Sequence, residues 1–130
     1  MTGVPLTTLP RFDRQAVESA ATRGATLVSL VSATLDGLDL SRFRSVLLGG
    51  SAIPVNRPSN TVATYGPTER AGGVVYEGRA LPGVELDIVD GEVMLRSPTL
   101  LRRYRFGNDP KSSDGWLATG DLGEISDDGT

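Results

Sequence analysis

The chain of 130 residues has no cysteine and no histidine, and Lys111 is its single lysine. Without cysteine there is no disulfide framework and no thiolate nucleophile. Without histidine the commonest general base, metal ligand and pH switch is missing. With one amine, nearly all positive charge is arginine, scattered along the sequence. No apolar run approaches the roughly eighteen residues of a membrane span, and no signal-peptide pattern follows Met1. A cytoplasmic protein is therefore expected. The formal net charge is −3, which gives no basic footprint for nucleic acid and no attraction to an anionic membrane. The length allows one domain or two small subdomains.

What remains falls into two regions. Asp13 is placed to cap a helix over Arg14–Thr22, with Ala16, Val17, Ala20 and Ala21 at helical spacing, Glu18 on the exposed side and Gly24 as the stop. Residues 26–31 form a continuous apolar run suited to a parallel strand buried on both faces. A short helix is expected over about 32–38, a second buried strand over 45–48 and a third over 61–64. Strand, helix and strand in alternation argue for a parallel α/β layer. From about Val74 the runs become short and β-rich. Residues 84–89 alternate with period two, Asp90-Gly91 is a hairpin turn signal, and residues 92–96 return. Trp116-Leu117 and Leu122–Ile125 are expected as a last pair of strands. This half has the pattern of a small antiparallel sheet or partial barrel. The expected division is 1–75, a parallel α/β subdomain, and 76–130, a β-barrel-like one.

The chemistry concentrates at Tyr65-Gly66-Pro67-Thr68-Glu69. The stretch follows the third strand, and Gly66-Pro67 forces a turn. Polar groups just past a strand's C-terminal end sit where open α/β sheets hold ligands. The Thr68 hydroxyl suits a phosphate oxygen, the Glu69 carboxylate suits a phosphate-bound Mg²⁺, and Tyr65 offers a flat face to a base. Taken alone, the stretch reads first as a strand ending in a polar turn.

This stretch resembles the Tyr-Gly-x-Thr-Glu motif of the adenylate-forming ligases, the superfamily of acyl-CoA synthetases, peptide-synthetase adenylation domains and luciferases. Three more stretches match that family in order: Val46-Leu47-Leu48-Gly49-Gly50, then Gly91-Glu92 with Tyr104, then Gly115-Trp116 with Thr119-Gly120-Asp121. The resemblance runs from Arg11 to Gly129 and covers the second half of the family's large domain, where a parallel α/β subdomain leads into a small β-barrel. Within the superfamily, Ala71-Gly72-Gly73-Val74-Val75-Tyr76 and Leu81-Pro82-Gly83-Val84 resemble the o-succinylbenzoate–CoA ligases of menaquinone synthesis. Pro67 is shared with peptide-synthetase adenylation domains, so those and other acyl-CoA synthetases stay open as alternatives.

The resemblance implies a two-step reaction: a small carboxylic acid attacks the α-phosphorus of ATP to give an acyl-adenylate and pyrophosphate, and coenzyme A then displaces AMP. It implies that Gly50, Ser51 and Ala52 line one side of the adenine, with Tyr65 and Gly66 on the other. Thr68 would contact the α-phosphate, Glu69 would hold Mg²⁺, and Asp121 would accept hydrogen bonds from the ribose hydroxyls. Thr68 and Glu69 would thus be the catalytic pair. Ala71, Gly72 and Gly73 would border the acyl-substrate pocket. The cluster Arg102, Arg103 and Arg105 around Tyr104 is read as a solvated face.

The chain also departs from the family. No stretch resembles its Ser/Thr/Gly-rich phosphate loop, and the sequence stops about where the hinge to the lysine-bearing C-terminal domain is expected; Lys111 lies in neither context. Between Gly50 and Tyr65, where the family has room for a helix, Pro54 and Pro58 oppose one. Three readings follow: part of an acid–CoA ligase that is inactive alone, a non-catalytic nucleotide-binding or interaction module, or an inactive remnant. Three parallel strands with little helical cover would expose an apolar face and a bare edge. A homo-oligomer or a complementary fragment is expected to cover them.

Overall fold

A computed structural model describes residues 3–70 and 72–126. The chain divides into two compact units, Met1–Val62 and Ala63–Thr130. The division falls inside a strand, whereas the change of composition sits near Val75.

The first unit begins with helix α1, Arg14–Thr22. Asp13 caps it as expected, its carboxylate accepting from the Ala16 N–H at 2.8 Å, and Gly24 leaves it at φ +101°. Glu18 is not free on the outer side; it is half-buried and accepts from the Asp39 N–H at 3.2 Å. Strands β1 (Leu27–Val31) and β2 (Ser45–Gly49) pair in parallel, Leu27 against Ser45 through Val31 against Gly49. Val17, Leu40, Phe43 and Val46 form the buried cluster under them. The helix expected over 32–38 is only a 3₁₀ turn, Ser32–Thr34, because Asp36-Gly37 turns the chain, with Gly37 at φ +67°. As a result β1 is covered on one face only. Val28 and Leu30 pack inward, while Leu27 and Val31 are 53% and 47% exposed, so the expected burial on both faces does not hold here. Residues 50–60 contain no helix. Asn60 ties this stretch down, its side-chain amide donating to the carbonyls of Leu40 and Phe43, both at 2.9 Å.

Strand β3 (Thr61–Tyr65) carries the chain into the second unit, where it pairs antiparallel with β4 (Val75–Tyr76), which pairs with β5 (Arg79–Ala80). The hairpin β6 (Glu85–Val89) and β7 (Glu92–Arg96) has the expected register, Val89 against Glu92. Asp90 and Gly91 both take positive φ, +52° and +83°, as a two-residue turn of this hand requires. One continuous strand, β8 (Leu117–Leu122), replaces the expected last pair and lies antiparallel on β7. It passes through Gly120 at φ +76°, and the register with β7 shifts between Glu92 and Met94. Val74, Val75 and Leu95 are the buried cluster of this unit. The sheet β6-β7-β8 has three strands and forms no closed barrel among the described residues. Parallel and antiparallel pairing with little helix is thus the architecture. No described helix is long and apolar enough to cross a membrane.

Candidate functional site

In the second unit β3 delivers Tyr65 at its end, and Gly66-Pro67-Thr68 turns out of it, with the Arg70 N–H closing onto the Pro67 carbonyl at 3.1 Å. Gly66 is dictated by packing. A Cβ there would lie 2.4 Å from the Gly72 carbonyl oxygen and 3.0 Å from Gly73 Cα, so only glycine lets the two glycine segments touch. The Val74 N–H donates to the Tyr65 carbonyl at 2.7 Å, which draws Gly72-Gly73 back across the turn. Ala71 lies outside the described residues. Thr68 is exposed and Glu69 half-buried.

Asp121 stands on β8. The turn that presents it is braced twice, since the Gly120 N–H donates to Glu92 Oε1 at 2.7 Å and Thr119 Oγ1 donates to the Val93 carbonyl at 2.8 Å. Glu92, which follows the hairpin turn, therefore supports the Thr119-Gly120-Asp121 segment. Tyr65 Oη donates to Asp121 Oδ2 at 2.8 Å, joining the expected stacking residue to the expected ribose acceptor. Burial, more than the neighbouring Asp121 and Glu69 charges, pushes the Tyr65 phenol up to about 12. It stays a hydrogen-bond donor at neutral pH, and Asp121 keeps further lone pairs for a ligand.

Glu69 is held in the same manner. Tyr104 Oη donates to Glu69 Oε1 at 2.7 Å, and the carboxylate raises the Tyr104 phenol above its ordinary value. The Leu101 N–H donates to the Glu69 carbonyl at 2.8 Å. Next in sequence, Arg70 donates through Nε to Thr99 Oγ1 and through a terminal nitrogen to the Gly73 carbonyl, both at 2.6 Å. Tyr104 and Arg70 are the residues that sequence reasoning left without a role. The signal for Arg70 was its place directly after Glu69. Tyr104 stood among arginines that are solvated, as expected. Lys111 is structural, its ammonium donating to the carbonyls of Leu101 (2.7 Å) and Arg102 (2.9 Å) and to Asp109 (2.7 Å).

Among the described residues no group of three acidic, histidine or cysteine side chains could hold a metal ion. Glu69 would suit Mg²⁺ in another way, as one carboxylate whose Oε2 accepts no hydrogen bond among the described residues, with phosphate oxygens and water as the further ligands.

The remaining expected nucleotide contacts, Gly50, Ser51 and Ala52, lie in the first unit directly after β2. Gly50 has φ +80°, and the Ala52 carbonyl accepts from Ser32 Oγ at 2.9 Å. This stretch offers backbone and small side chains and no charge.

The family follows from comparison with known proteins. The chain is 34% identical over 135 residues to the 2-succinylbenzoate–CoA ligase of Escherichia coli, an alignment covering 87% of this chain and 30% of that one. It belongs to the adenylate-forming superfamily. Its fold matches the structure of E. coli MenE with a bound phenylether-linked analogue of OSB-AMS, with a TM-score of 0.73 and 32% identity over 88% of this chain and 31% of that one. It also matches Bacillus subtilis o-succinylbenzoate CoA synthetase bound to OSB-NCoA, with a TM-score of 0.78 and 26% identity over 92% of this chain and 33% of the other. No family model matches the chain. The chain spans from under a quarter to about a third of the curated ligases it aligns with.

Proposed function

We propose that this chain is the nucleotide-binding part of an acid–CoA ligase that uses ATP and coenzyme A to activate a small carboxylic acid, with o-succinylbenzoate as the acid. The observation carrying the reading is that each carboxylate matched to the family, Glu69 and Asp121, is oriented by a tyrosine hydroxyl at 2.7–2.8 Å. The aligned relatives are acid–CoA ligases. In this reading Asp121 accepts from the ribose hydroxyls, Thr68 donates to the α-phosphate, and Tyr65 and Gly66 border the base. Glu69 receives the Mg²⁺ that arrives with ATP. Ala71, Gly72 and Gly73 border the acid. Residues 1–75 act as the AMP-binding subdomain and 76–130 as the barrel-like one. The 130 residues contain no phosphate-loop motif, so alone they bind nucleotide without forming acyl-adenylate at a useful rate. The exposed outer face of β1 is covered by a second copy or a complementary fragment, which sedimentation at micromolar concentration tests.

Calorimetric titration with AMP tests the core of this reading. The chain is expected to bind with a Kd of about 1 mM, and Asp121→Ala to abolish the binding. Equal affinity in both proteins would overturn the assignment.

A further inference from the structure

One feature of the Glu69 environment exceeds what holding a surface turn requires. Tyr104 Oη occupies Oε1 at 2.7 Å, and the segment bearing Tyr104 is fixed on both sides. Ahead of it, Leu100 bridges to Arg70 and the Leu101 N–H reaches the Glu69 carbonyl. Beyond it, Lys111 directs all three ammonium hydrogens at acceptors, two of which are the Leu101 and Arg102 carbonyls. The chain's only lysine is thus committed to anchoring the loop that carries this hydroxyl. Tyr104 is exposed like its neighbours Arg102, Arg103 and Arg105, and it is the one of the four whose side chain donates to Glu69.

We propose that Tyr104 is a positioning residue for Glu69, engaging Oε1 and leaving Oε2 as the oxygen that meets a nucleotide-bound divalent cation. A carboxylate held by one hydrogen bond loses less freedom when the cation arrives, and such outer partners set metal affinity. This rests on the reading of Glu69 given above.

The test uses the chain with its glutamate carboxyl carbons ¹³C-labelled. Without ligand, Tyr104→Phe should move the Cδ resonance of Glu69, identified by its absence in Glu69→Gln. With Mn²⁺·ATP as probe, the concentration that half-bleaches this resonance should rise about 10-fold or more in Tyr104→Phe, and stay as in wild type in Arg103→Ala. AMP binding in EDTA should be the same in Tyr104→Phe and wild type, which separates a lost cation contact from a misfolded site. Unchanged bleaching in Tyr104→Phe, with AMP still bound, would overturn the positioning role alone. Failure of wild type to bind AMP would overturn the nucleotide reading and this role with it.

Discussion

In the first unit the candidate ligand contacts are backbone and small side chains, Gly50, Ser51 and Ala52, and their shape comes from a glycine at φ +80°. In the second unit the candidate contacts are charged or hydroxylic side chains, and their shape comes from hydrogen bonds between them. A flat ring needs close approach, which absence of side chains supplies. A ribose or a cation needs acceptors held at fixed directions, which requires partners for each carboxylate. The contrast does not extend to packing. The first unit leaves Leu27 and Val31 of β1 half-exposed, and the second leaves Leu122 and Phe106 exposed around a cluster of Val74, Val75 and Leu95 on which Tyr65, Val84, Leu86 and Leu100 pack.

The largest effects should come from the two cores. Phe43→Ala in the first unit should cost about 3–5 kcal/mol and Leu95→Ala in the second about 2–5 kcal/mol, read by urea unfolding. A loss below about 1 kcal/mol at either position would show that its cluster does not hold its unit together. Gly66→Ala should cost about 1–3 kcal/mol by overpacking against Gly72 and Gly73 and should also weaken AMP binding. Retained stability together with retained binding would remove the argument from close approach.

The hairpin was legible because Asp90-Gly91 is the residue pair that tolerates two positive φ angles. Helix α1 was legible because Asp13 and Gly24 mark its ends. Strand β8 was not, since Gly120 interrupts its pattern and its partner β7 lies far back in the sequence. The short helix was over-read because apolar spacing says nothing of the turn at Gly37. At the site, each matched carboxylate was legible by its motif, whereas its partner was not. Tyr65 and Asp121 are 56 positions apart and Glu69 and Tyr104 are 35 apart. Only the folded sheet brings such pairs together.

A smaller effect separates the units by pH. The Tyr65 phenol rises to about 12 from an ordinary value of about 10. A raised folded value means the neutral phenol contributes stability that is fully present below about pH 10 and is lost as pH rises toward about 12. Unfolding midpoints measured across that range should fall less steeply in Tyr65→Phe; an unchanged slope would contradict the half-buried, hydrogen-bonded phenol. The smallest effect is expected at the arginines. Arg102→Ala and Arg103→Ala should change stability by less than about 0.5 kcal/mol and leave AMP binding unaltered. Loss of binding there would move the phosphate contact to that loop.

We propose one nucleotide site formed by the Tyr65–Arg70 turn and the Thr119–Leu122 segment. Titrating AMP into the ¹⁵N-labelled chain and following every backbone amide tests it most directly. Saturable shifts are expected at Gly66, Thr68, Glu69, Gly120 and Asp121, lost in Asp121→Ala. Shifts confined to Arg102–Phe106, or none at millimolar AMP, would contradict it.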